Sequence, residues 1–68
     1  MNLTDTQQAI LAMIAERIGA DGVPPSHVEI AHAFGFKGVR AAQYHLEALE
    51  QAGAIRRVPG QAPGIRLI

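Results

Sequence analysis

The stretch EIAHAFGFKGVRAAQYHL, residues 29–46, holds two helical patterns joined by a turn bracketed by Gly35 and Gly38. Just upstream, Ser26-His27-Val28-Glu29 matches a capping box, with Ser26 as N-cap and Glu29 reaching back to it. Ile30, Ala31 and Phe34 supply the inner face of a helix about two turns long. Gly35 stops that helix by accepting a left-handed conformation at low cost. Phe36 is then free to fold back as an apolar plug, and Ala31 is small where the next helix must come close. The next helix begins near Gly38 or Val39, runs to about Ala52 and ends at Gly53. Val39, Ala42, Leu46 and Leu49 fall on one side of it, while Arg40, Tyr44, Glu47 and Gln51 point the other way with Gln43 on the flank. A helix apolar behind and armed with long polar side chains in front needs an explanation.

Toward the N-terminus, Thr4-Asp5-Thr6-Gln7 forms another capping box, and Asp5 sits where the helix dipole favours an anion. Ile10, Ile14 and Ile18, with Leu11 alongside, make one apolar stripe over about four turns, ended by Gly19 and Gly22. DGVPPS, residues 21–26, must be a connection, because each proline restricts the residue before it to extended geometry. Toward the C-terminus the period changes. AIRRV (54–58) and GIRLI (64–68) are short β patterns separated by the turn material PGQAP (59–63). Ile55, Val58, Ile65 and Leu67 are expected to supply the hairpin's apolar surface, and two strands alone must lean on the helices. The expected fold is mainly α (α+β): a three-helix bundle with a C-terminal two-stranded β-hairpin wing. Residues 1–68 form one domain, with a helix-turn-helix at about 27–51 and the wing at about 54–68.

Composition agrees with a small aliphatic core. The 68 residues are 49% apolar but only 4% aromatic, and contain no cysteine, so neither disulfides nor thiolate metal sites can staple the fold. No apolar run approaches a membrane span, and the N-terminus lacks a secretory signal, so a cytoplasmic protein is expected. The net charge of zero hides a division. Residues 1–36 set Arg17 against Asp5, Glu16, Asp21 and Glu29, a net of three negative. Residues 37–68 set Lys37, Arg40, Arg56, Arg57 and Arg66 against Glu47 and Glu50, a net of three positive. Such asymmetry suggests a cationic working side.

Catalysis is poorly served. Ser26 is explained as a cap, the carboxylates are scattered, and His27, His32 and His45 lack a spacing that would assemble zinc. No cofactor is implied. Nucleic-acid recognition fits better, because a helix-turn-helix places the outer face of its second helix in the major groove, about 12 Å wide. Arg40 can fork onto guanine O6 and N7, Gln43 can pair with adenine, and Tyr44 can meet a sugar, a thymine methyl or a phosphate; each base contact is worth about 1–3 kcal/mol of discrimination. Lys37 and the amides opening the reading helix can hold phosphate, as can those after Ser26. Arg56 and Arg57 are adjacent on a strand and point to opposite faces, so only one easily meets the same backbone. Glu47 would repel phosphate unless it reads a cytosine amine or points away. A protein-interaction module with Tyr44 as anchor, or a DNA-binding domain of an unrelated bacterial or phage regulator, remain alternatives, and an enzyme is a third class.

Over its whole length the chain also resembles the N-terminal DNA-binding domain of the LexA repressor family. The matching segments are Leu3-Thr4 with Gln7-Gln8, PPS (24–26) with Glu29-Ile30-Ala31, FGF (34–36), AA (41–42), HLEAL (45–49), GAI (53–55) and GIRL (64–67). The resemblance implies a winged helix-turn-helix that binds palindromic double-stranded operators as two copies and represses DNA-damage (SOS) genes in the bacterial nucleoid. It implies that intact members carry a C-terminal domain with a Ser–Lys dyad, which cleaves its own linker when the RecA recombinase filament stimulates it. That domain and its protease are expected to be absent from these 68 residues. The family's base-reading surface falls on Gly38, Arg40, Ala41, Gln43 and Tyr44. The enterobacterial pattern there is serine, asparagine, alanine and two glutamates, so only Ala41 is retained and the CTGT-type half-site is not carried over. Glu47 stands where that pattern has lysine, and Pro63 where an arginine is common.

Overall fold

The computed structural model describes residues 3–61 and 64–68. Its order is α1 (Asp5–Asp21), α2 (His27–Phe34), α3 (Val39–Gln51), β1 (Ile55–Arg57) and β2 (Ile65–Leu67). This is the expected winged helix-turn-helix, three helices followed by an antiparallel hairpin.

Both capping boxes form. The Thr4 hydroxyl accepts from the Gln7 N–H at 3.1 Å, while the Thr4 N–H donates to Gln7 Oε1 at 3.1 Å. Ser26 and Glu29 repeat the exchange at the start of α2, again at 3.1 Å in each direction. Each box satisfies two backbone donors that a helix start leaves orphaned. Of the two glycines expected to end the first helix, the second does so. Gly19 lies inside it and Gly22 caps it, the Gly22 N–H donating to the Ile18 carbonyl at 2.8 Å. A single glycine weakens a helix but does not stop one whose stripe continues to Ile18.

The turn between α2 and α3 depends on Gly35, whose φ of 69° is left-handed. That geometry lets the Phe36 N–H reach back five residues to the Ala31 carbonyl at 2.9 Å, and so reverses the chain. Phe36 then turns inward, half-buried against the core, as its plug role requires. The connection before α2 is anchored by Pro25, which is fully buried.

The core is one cluster: Ile10 and Ile14 from α1, Ile30 from α2, Ala42, Leu46 and Leu49 from α3, and Ile55 and Ile65 from the strands. Every element contributes, and burying each large aliphatic side chain is worth about 1.5–3 kcal/mol. Two expected core residues stand outside it. Val39 is 37% exposed, because the first turn of α3 projects past the cluster that Ala42 begins. Leu67 is 42% exposed. The register sets Ile55 opposite Leu67 and Arg57 opposite Ile65, but only the two isoleucines reach the core, and Leu67 borders the open cleft beside Ile18 and Pro24. Val58 is half-buried at the hairpin's far end.

Gly64 closes the wing. A Cβ there would lie 2.2 Å from the Val58 carbonyl oxygen and 2.7 Å from that of Gln61, so only glycine lets the strands meet. The Val58 N–H donates to the Gly64 carbonyl at 2.6 Å across this closure.

Candidate nucleic-acid interface

At 100° per residue, Arg40, Gln43, Tyr44 and Glu47 occupy an arc of about 100° on α3, opposite Ala42, Leu46 and Leu49. The structure exposes all four of them and buries the three opposite. Ala41 is half-buried at the edge of the arc, and Gly38 is the N-cap, with extended backbone and open space around its Cα. Of the base-reading candidates named from the sequence, Arg40, Gln43 and Tyr44 therefore share one accessible surface, with Ala41 at its rim and Gly38 at its leading end.

The three helix starts differ. Thr4 and Ser26 spend side-chain oxygens on the amides of α1 and α2, but Gly38 offers none, so the first-turn amides of α3 receive no side-chain cap. Those amides, next to exposed Lys37, are a ready phosphate cradle. The start of α2 is more occupied. The Ser26 hydroxyl accepts from the Glu29 N–H, and the Glu29 carboxylate lies against the Ser26 N–H, placing an anion where phosphate would bind. Arg17 on α1 pairs with that carboxylate, offsetting its charge and tying α1 to α2. The contact holds the Glu29 carboxyl below the usual carboxylate range, with the Ser26 N–H adding to the effect, and raises the Arg17 guanidinium above its ordinary value.

The wing arginines separate as the strand period requires. Arg57 is half-buried on the core-facing side; its N–H donates to Glu50 Oε2 at 3.1 Å, and its guanidinium lies 4.0 Å from Glu47 Oε1. Glu47 thus has a wing cation at the limit of ion-pair distance. Arg56 is exposed on the outer face directly opposite Arg66, a residue the sequence reading left out of the site. The signal was available, since alternation in GIRLI puts Arg66 across from Arg56 once the register is known. Lys37, Arg40, Arg56 and Arg66 form no ion pair among the described residues. Pro63 lies outside the described residues.

Behind the arc runs a row of rings. Phe34 stacks on Phe36 with centroids 5.8 Å apart, Phe36 stacks on His45 at 5.5 Å, and His45 meets Tyr44 edge-on at 5.2 Å. The row crosses the turn and braces α3 against α2. No group of three metal-ligating side chains occurs among the described residues, and no described helix is long and apolar enough to cross a membrane.

A short, glycine-turned helix pair, an uncapped second helix with an exposed polar arc, and a closing hairpin make a winged helix-turn-helix, and comparison with known proteins names its family. Residues 1–64 match the family model described as the LexA DNA binding domain. The chain belongs to that family. It is 90% identical over 67 residues to LexA repressor 2 of Xanthomonas oryzae pv. oryzae, covering 98% of this chain and 32% of that protein. It is 81% identical over 68 residues to the LexA repressor of Stenotrophomonas maltophilia, and 70% identical over 67 residues to that of Xylella fastidiosa, again covering 32% of each relative. The chain thus spans about a third of the length of the LexA repressors it matches, and the match is to their DNA-binding domain.

Proposed function

We propose that this LexA domain reads double-stranded operator DNA by laying the Arg40–Gln43–Tyr44 arc of α3 in the major groove. The observation that carries the reading is the exposure of that arc on a helix that buries Ala42, Leu46 and Leu49 on its opposite side. Gly38 and Ala41, which offer little bulk, let the helix start approach the base edges. Lys37 and the uncapped amides of α3 hold one backbone phosphate, and Arg56 holds another from the outer face of the wing. Ser26 and Arg57 are weaker phosphate candidates, because Glu29 and Glu47 already engage them.

On this reading residues 1–68 are the operator-binding module, with the helix-turn-helix at about 27–51 and the wing at about 54–68. Two copies bind a palindrome and repress DNA-damage genes in the bacterial cytoplasm. RecA-stimulated self-cleavage belongs to the family's second domain, outside the matched third. The scaffold is retained while four of the five reading positions depart from the enterobacterial pattern, so the CTGT-type half-site is not carried over.

Selection of bound duplexes from a random pool tests the reading. Arg40→Ala is expected to relax preference at one position of each half-site, at about 1–3 kcal/mol. Equal loss on selected and random duplex would remove Arg40 from base reading. Tyr44, at 66% exposure, also suits a protein anchor. That alternative predicts little duplex affinity at any salt concentration.

A further inference from the structure

Gln7 is a buried polar side chain, 7% exposed, lodged under the middle of α3. Its amide orientation is fixed by the cap of α1. Oε1 accepts the Thr4 N–H, so Nε2 is the end that faces His45, where it lies 3.4 Å from Nδ1. An amide NH₂ only donates, so the contact is a hydrogen bond in the tautomer that leaves Nδ1 free to accept and carries its proton on Nε2. The helix cap thus aims the Gln7 amide N–H at a side chain on another element. That ring is held on a second side by Phe36, stacked at 5.5 Å with an interplanar angle of 24°. Tyr44 meets it edge-on, at 71°, and makes no side-chain hydrogen bond among the described residues.

We propose that His45 is a positioning residue for the reading face: locked by Gln7 and Phe36, it holds the Tyr44 ring in one orientation on the exposed arc. The inference rests on the proposed reading of DNA by α3 and adds how a largely exposed ring is kept ready for the groove. A ring already ordered loses less rotamer freedom on binding. His45 touches no base in this scheme and acts through Tyr44. Gln7 acts through His45.

Tyr44 is the one tyrosine of a chain without tryptophan, so intrinsic fluorescence reports this ring alone. Time-resolved anisotropy of the free protein is expected to show His45→Leu losing more of its polarisation to fast local ring motion, with His45→Phe restoring the wild-type decay. Gln7→Leu should loosen Tyr44 in the wild-type background and add nothing once His45 is leucine. A purely structural His45 would lower the melting temperature while leaving the decay as it is. Unchanged Tyr44 decay in folded His45→Leu overturns the inference. Long-range proton–nitrogen correlation on the unmutated protein gives a check independent of any variant: a proton on Nε2 is expected, and one on Nδ1 overturns the link to Gln7. Duplex selection separates the two proposals. Loosened Tyr44 with weakened base preference supports both, whereas loosened Tyr44 with preference intact supports the positioning and removes Tyr44 from base reading.

Discussion

Gly35 is the residue on which the approach of α2 to α3 turns. Its φ of 69° costs a glycine nothing, and a side chain there would meet open space, so the penalty for any other residue is purely one of backbone strain. Gly35→Ala is expected to destabilise the domain by about 1–2 kcal/mol, and Gly35→Asn by less. Thermal melts of both variants against wild type check the order. Single residues of this kind are legible in the sequence because their partners are near. Ser26 finds Glu29 three positions on, and Gly35 acts with Ala31 and Phe36. The Gln7–His45 contact was not legible: the residues are 38 positions apart and no period links them, so only the packing of α1 on α3 reveals it. The exposed arc of α3 was legible, because a helix with a clear apolar stripe leaves its other face by subtraction.

Among the elements, the start of α2 carries two duties through one side chain. Glu29 completes the cap on Ser26 and also pairs with Arg17 of α1. Its carboxyl is held below the usual range in the folded state, so the unfolded chain takes up the proton first. The stabilisation is complete above the ordinary glutamate value of about 4.3 and drains away as pH falls through the lower folded value. Glu29→Gln keeps an N3 acceptor for the cap but does not titrate there. The melting temperature of wild type should therefore fall more steeply on acidification than that of Glu29→Gln, and parallel curves would show that the pair contributes nothing. Neither the pair nor the two misjudged core residues could be read along the chain. Arg17 and Glu29 sit on different helices, and Val39 and Leu67 keep perfect periodicity while standing past the edges of the core. Periodicity gives the side of an element, whereas burial also depends on where its neighbours stop.

At the scale of the molecule, eight residues from five elements make the only buried cluster described, within extents of 26 × 24 × 23 Å. A chain this short holds about 3–10 kcal/mol of stability, at about 0.05–0.15 kcal/mol per residue. Leu46→Ala should remove about 2–5 kcal/mol of that, and urea titration should find the unfolding midpoint moved to lower denaturant with the slope kept. The surface divides as the core does not. The acidic residues of α1 lie on one element, while Lys37, Arg40, Arg56 and Arg66, on the turn, α3 and the wing, form no ion pairs among the described residues. If Lys37 and Arg56 each neutralise one phosphate of the duplex, the logarithm of affinity falls against the logarithm of salt concentration with a slope of about −2 per domain. Lys37→Ala, lacking any base to read, should lower affinity for selected and random duplexes alike and make that slope shallower by about 1. An unaltered slope would take Lys37 off the phosphate backbone and leave the uncapped amides of α3 to hold that position alone.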